Sequence, residues 1–358
     1  VNPVRSSSLL LKESRLITTV LVLFASAASV AHAQRTPRAR PAAQLPRYDV
    51  LLIQPGTTGT TSYTSARSVN DRGKVTGISS DGGFLWSAAT GAVALGERQP
   101  GVGSSGYDVN LFGMVAGTSY EATLWTSVNA LVPIPPPDGT VFPFAFGLND
   151  TGRVVGEATV SSNLKAAWVW DPVNGTRDLR TLGVPGAASA MAINESNQIV
   201  GKRLASNYIA YRYDLNSGTF IDLGTFGGPT SEALGIDDFG RVVGSARNAN
   251  YNTRPFLWTN GAGIRDLGSL GGQPYDFGEA TSINVAGQVV GNSTTASGER
   301  HAFLWDASHG MRDLNALVDD LGAFRLITAT RINNNGWIVG NGRNTETGGT
   351  RAYVLRPE

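Results

Sequence analysis

The chain has 358 residues, 41% of them hydrophobic and 16% charged, with 44 glycines and no cysteine. Ordinary apolar content with low charge excludes a disordered chain, and the lack of cysteine excludes disulfide staples and thiolate metal sites. The formal net charge of +1 is unevenly placed: residues 1–47 hold seven basic side chains and one acidic, leaving 22 basic and 27 acidic, a net of −5 that argues against nucleic acid as a partner.

In chain order, residues 1–33 read as a signal peptide. Arg5, Lys12 and Arg15 make a basic start. Residues 16–30 are an uncharged apolar run of 15, short of the ~20 that a membrane span needs. Ala31-His32-Ala33 then offers a cleavage site. The expectation is an exported chain, secreted or periplasmic, with no integral membrane span after cleavage. Residues 34–47, with four arginines among prolines and alanines, lack apolar periodicity and read as a linker.

From residue 48 to 358 one short unit recurs seven times. It is clearest at residues 282–291 (SINVAGQVVG), and its anchors are Asn70, Asn110, Asn149, Asn194, Asp237, Asn284 and Asn333. Each lies seven residues before a glycine, and successive anchors are 40, 39, 45, 43, 47 and 49 residues apart. The stretch ending in Asn reads as a short strand, a. Asn or Asp followed by Gly supplies a tight reversal into strand b. An apolar block such as Ala302-Phe303-Leu304-Trp305, without alternation, reads as strand c, buried on both faces. Asp-Leu after a further turn, as at Asp266-Leu267, marks strand d. Four short antiparallel strands per unit define a propeller blade. The proline-rich residues 131–137 (LVPIPPP) weaken the case for strand d in the second copy.

The ends bear on closure. The last copy stops after its strand c, at Ala352-Tyr353-Val354-Leu355, and the missing strand d stands before the first copy at residues 48–52. The fold expected is all-β: a seven-bladed β-propeller of four-stranded antiparallel blades, closed by an N-terminal strand that completes the last blade. Closure removes exposed sheet edges. An open β-solenoid is the alternative.

The frame I-N-x-x-G-x-V-V-G, followed by A-F-L-W and D-L-G, resembles the HAF-type extracellular repeat of bacteria. Residues 222–228 (DLGTFGG) and 266–272 (DLGSLGG) are similar to its D-L-G-x-L-G-G stretch. The resemblance covers about residues 48–358. It implies export and a repeat fold, and supplies no catalytic residues.

Loop lengths point to a working face. The a–b turn has one length in all copies, whereas the b–c and d–a connections vary, and these two emerge on the same face of a blade. Variable loops on a rigid scaffold are where binding residues collect. That face is expected to carry Tyr63, Tyr120, Phe142, Tyr251, Tyr275 and Phe277 among small polar residues, which suits a glycan, peptide or protein ligand bound by a monomer. Single exposed aromatics also occur on ordinary loops.

Chemistry is sparse. His301 and His309 lie in one blade on separate segments, no copy has a calcium loop, and neither a nucleophile elbow nor a phosphate loop occurs, so no metal and no cofactor is expected. The alternative is a glycoside hydrolase or polysaccharide lyase using Asp108, Glu232 and Glu279 near the central channel, with Arg331 close by. A third reading is a structural surface protein that self-associates. A non-enzymatic binding scaffold is the leading expectation.

Overall fold

The computed structural model describes residues 45–54, 63–161, 164–271 and 276–358. Residues 1–33, expected to be a signal peptide, most of residues 34–47, expected to be a linker, and Tyr275 lie outside the described residues. Arg47, placed with the linker above, is tied to the propeller: it pairs with Asp319 at 2.7 Å and accepts a backbone bond from Glu358.

Seven four-stranded antiparallel sheets form the blades of a β-propeller. Blades 1 to 6 span residues 64–94, 105–133, 141–178, 187–222, 227–266 and 278–313. Blade 7 takes three strands from residues 324–357 and its fourth, outermost, from Tyr48–Ile53. That strand runs antiparallel to Thr350–Pro357, from Tyr48 opposite Pro357 to Ile53 opposite Ala352. Tyr48 and Ile53 are fully buried, so the closing strand anchors at both ends.

In blade 2 the prolines do not prevent strand d, which forms at Ala130–Pro133. This outer strand has a neighbour on one side only, so Pro133 at its end interrupts no inner ladder. Ile134 still donates to the Ala122 carbonyl.

The core lies between blades. Strand c presents Trp125, Trp168, Tyr211, Phe256, Phe303 and Tyr353, each fully buried. Facing them on the inner strands is a row of small buried residues including Ala66, Ala145, Ala190, Ala233, Ala280 and Ala329. All seven inner strands carry a register shift three residues before the anchor, at Arg67, Tyr107, Phe146, Met191, Leu234, Thr281 and Thr330. The glycine ending each frame sits against this bulged strand. A Cβ at any of Gly77, Gly117, Gly156, Gly201, Gly244, Gly291 or Gly340 would lie 1.8–2.0 Å from a carbonyl oxygen of the inner strand. Close backbone approach, not turn geometry, requires glycine there.

The anchors do more than shape turns. Each side-chain oxygen accepts the N–H four residues on, for example Lys74 to Asn70 at 2.9 Å and Met114 to Asn110 at 3.0 Å. The amide then donates to the anchor carbonyl of the next blade: Asn70 to Asn110, Asn110 to Asn149, Asn149 to Asn194 and Asn194 to Asp237. Asn284 to Asn333 and Asn333 to Asn70 complete the circuit past the chain ends. Asp237 has no amide to give. Arg241 takes its place: it pairs with the Asp237 carboxylate and donates to the Asn284 carbonyl at 3.1 Å. One hydrogen-bonded ring thus joins all seven blades.

Candidate functional site

The inner strands surround a central channel, and distance from the anchor measures depth along it. At the turn-face mouth, the residues just after the anchors enclose a cavity of about 180 Å³. Four of them are acidic: Asp71, Asp150, Glu195 and Asp238. They are wired from blade to blade. Leu111 N–H donates to Asp150, Asp150 N–H to Glu195 and Glu195 N–H to Asp238. Across the chain ends, Val285 N–H donates to Asn334, whose N–H donates to Asp71. Burial pushes the Glu195 carboxyl up to about 7; the hydrogen bond from Asp150 N–H opposes this, and the charges of Asp150, Asp238 and Asp108 add to it. Among the described residues no three carboxyl or imidazole groups are placed to hold a metal ion.

One layer deeper, two residues before the anchors, Asp108 and Arg331 meet at 3.0 Å. Asp108 is buried and its acceptors are occupied: Ser68 Oγ donates at 2.6 Å, Leu148 N–H at 3.0 Å, and Arg331 reaches both carboxylate oxygens. This pair links blade 7 to blade 2 across blade 1.

The next layer is the bulge. Arg67, Tyr107, Phe146, Met191 and Leu234 are all half-buried there. Thr281 and Thr330 complete it with their hydroxyls turned to backbone carbonyls, as in Thr281 to Ala329 at 2.8 Å and Thr330 to Ala66 at 3.1 Å. The Arg67 guanidinium lies 4.3 Å over the Tyr107 ring. Tyr107 meets Phe146 edge-on at 5.5 Å, and Phe146 stacks on Phe144 at 6.3 Å. An aromatic wall therefore rises along blades 2 and 3 toward the loop face.

Glu232 and Glu279 stand five residues before their anchors, about 10 Å nearer the loop face than Asp108 at ~3.3 Å per residue. Glu232 pairs with Lys202 at 2.9 Å beside a cavity of about 240 Å³ between blades 4 and 5. Glu279 accepts from Asn292 at 2.8 Å. The three carboxylates named from the sequence thus form no single set: one is sealed by arginine at depth and two belong to separate blades above it.

On the loop face, Tyr120, Phe142 and Tyr251 are 63%, 69% and 69% exposed, and Tyr63 is 39% exposed. Phe277 differs from this expectation: it is half-buried, bridges to Thr253, and has the Arg300 guanidinium 4.3 Å over its ring. Tyr120, Phe142 and Tyr251 share a property invisible in the sequence. Their φ values are 67°, 52° and 64°, the left-handed region that bulky residues avoid. The turn around Tyr251 shows the cost. Asn248 N–H donates to the Asn252 carbonyl and Tyr251 N–H to the Asn248 carbonyl, and Thr295 with Glu299 and Gly298 repeats the pattern in blade 6. Blade 6 has glycine in the slot that Tyr251 fills in blade 5. Among the described residues only Asn197 joins these three as a non-glycine with positive φ, and asparagine tolerates it.

His301 pairs with Asp313 and His309 with Asp306, so the two histidines serve separate partners.

These features define a seven-bladed β-propeller with a hydrogen-bonded turn face and a loop face that carries aromatics in left-handed backbone. No protein-family profile matches the chain, and no curated protein matches it in sequence. Among solved structures it is similar to a streptogramin B lyase, at 10% identity and TM-score 0.56, over 87% of this chain and 98% of that one. It is also similar to virginiamycin B lyase from Staphylococcus aureus, at 12% identity and TM-score 0.54, over 86% and 99%. A third is the extracellular domain of a protein described as a two-component system from B. thetaiotaomicron, at 12% identity and TM-score 0.54, over 86% of this chain and 40% of that chain. At these identities the likeness concerns the fold alone.

Proposed function

We propose that this chain is an exported, non-enzymatic binding propeller that takes a glycan, peptide or protein on its loop face. The three exposed aromatics in left-handed backbone carry the proposal. Such conformations cost of order 1–3 kcal/mol each and persist at ligand clamps. An aromatic exposed by two thirds recovers little of that through packing. Left-handed backbone occurs at these three loop-face aromatics and not at Phe112 and Phe239, the exposed aromatics of the turn face, which favours a role outside folding. Residues 1–33 and the resemblance to HAF-type extracellular repeats support export. No helix among the described residues is long and apolar enough to cross a membrane. A carbohydrate-active enzyme is the rival, and the separate engagements of Asp108, Glu232 and Glu279 give it no acid pair.

A glycan and protein array probed with wild type and with Tyr120→Gly, Phe142→Gly and Tyr251→Gly tests the proposal. Glycine relieves the backbone, and loss of binding by a variant that melts like wild type comes from the lost ring rather than from unfolding. Wild-type binding that all three variants retain would remove the loop face from the account.

A further inference from the structure

Beyond the rim, the channel itself holds a cation with no counter-ion among the described residues. Arg67 lies in the bulge layer, half-buried, with the Tyr107 ring as its only partner among the described residues. Its Nε is buried, and no acceptor or carboxylate engages the side chain among the described residues. The contrast within the channel is sharp. Arg331, one layer below, is neutralised by Asp108, and Lys202, one layer above, by Glu232. A partly desolvated guanidinium with no anion is unfavourable unless something supplies one, and its planar fork fits a carboxylate.

The surroundings narrow the chemistry of that anion. Tyr107, Phe146 and Phe144 form a continuous wall from Arg67 toward the loop face, with ring spacings of 5.5 and 6.3 Å. Residues three and five before an anchor share one face of a strand, so Ser65 and Ser105 line the same side as Arg67 and Tyr107, two residues nearer the loops. Both serines are half-buried, and neither hydroxyl has a partner among the described residues. Flat apolar faces, free hydroxyls and one unpaired guanidinium together match a ring-bearing chain that carries both hydroxyl and carboxylate groups.

We propose that the loop-face half of the channel binds a carboxylated oligosaccharide, its sugar faces against Tyr107, Phe146 and Phe144 and one carboxylate on Arg67. This deepens the loop-face proposal, on which it rests for entry of the ligand. A peptide with an acidic residue is the competing occupant and serves as a control.

The test is calorimetric titration of the purified protein with a short oligogalacturonate, its methyl-esterified neutral form, and an acidic peptide of similar length. The oligogalacturonate should bind best, more weakly as salt rises, and about tenfold to a hundredfold more weakly to Arg67→Met, the range for a lost charged hydrogen bond. Arg67→Lys, which keeps the charge but not the fork, should fall between, and it stands in if Arg67→Met does not fold. Equal affinity for the charged and neutral sugars, preference for the peptide, or unchanged binding by both Arg67 variants overturns the inference. If Tyr120→Gly and Tyr251→Gly bind the sugar like wild type while Arg67→Met does not, the channel site stands and the rim proposal falls. If the rim variants lose array ligands that Arg67→Met retains, the reverse holds.

Discussion

The two faces of this propeller obey different rules. On the turn face two sets of hydrogen bonds join each blade to its neighbour: anchor amides donate to the next anchor's carbonyl, and the N–H groups of five of the residues after the anchors donate to the matching side chain of that same neighbour. Changing one copy leaves a partner unsatisfied in its neighbour, which fixes both length and composition. On the loop face the connections share no such repeated circuit; their bonds differ from blade to blade, as in Arg98 N–H to Ser119 and Leu270 N–H to Ser293, so length varies and strained aromatics are tolerated. The uniform face is therefore a closure device and the variable face a place for contacts. Repetition marks where blades depend on one another, and departures from it mark where a site can grow.

The largest expected effect tests closure. Removing residues 48–53 strips the outer strand from blade 7 and uncovers the cluster around Leu326, Tyr353 and Leu355. Denaturant unfolding should lose its single cooperative transition; a variant that unfolds like wild type would mean that this strand does not lock the ring.

Next comes the one irregular link on the turn face. Arg241→Ala leaves the buried Asp237 carboxylate unpaired and should cost about 3 kcal/mol in chemical denaturation. Asp237→Asn in the same chain supplies the missing amide and should restore most of the loss. If the double variant is no more stable than Arg241→Ala, the arginine does not stand in for an amide.

A smaller effect of opposite sign is expected on the loop face. Tyr251→Gly should hold or raise stability, by about 0.5–1 kcal/mol, because relief of the left-handed strain outweighs the added entropy of glycine. A clear fall in melting temperature would show that the ring packs in a way its exposure conceals.

The smallest effect concerns pH. Glu195 has its folded pKa raised to about 7 from 4.5, so the folded state holds the proton more tightly. Its contribution is therefore fully present below about 4.5 and is lost as pH rises through 7. Glu195→Gln should flatten the dependence of melting temperature on pH across that window, a change of about 1–3 °C. An unaltered profile would place the titration elsewhere.

Much of this architecture was legible in the residues. Seven frames with constant internal spacing located the inner strands and tight turns. The strand at residues 48–52, out of place before the first copy, indicated the closed ring. The less regular features misled in places. The prolines of blade 2 counted against a strand that forms at the sheet edge, where proline is harmless. Phe277 looked like a rim aromatic and is instead capped by Arg300. Asp108, Glu232 and Glu279 looked like one acidic set, although their offsets from the anchor, two residues against five, already separated them in depth. Asparagine ahead of glycine reads as a turn former. Six asparagines against one aspartate was the available signal for an amide that must donate, since a turn alone accepts either residue.

By itself, the sequence determined the unit, its number, its strand order and the face on which loops vary, because these are periodic and local. Tertiary structure alone decided what crosses from blade to blade: the amide ring with Arg241 in its seventh link, the Asp108–Arg331 pair, the aromatic wall and the unpaired Arg67. The links between blades join residues 39 to 263 positions apart, and only packing the blades into a ring brings them within bonding distance.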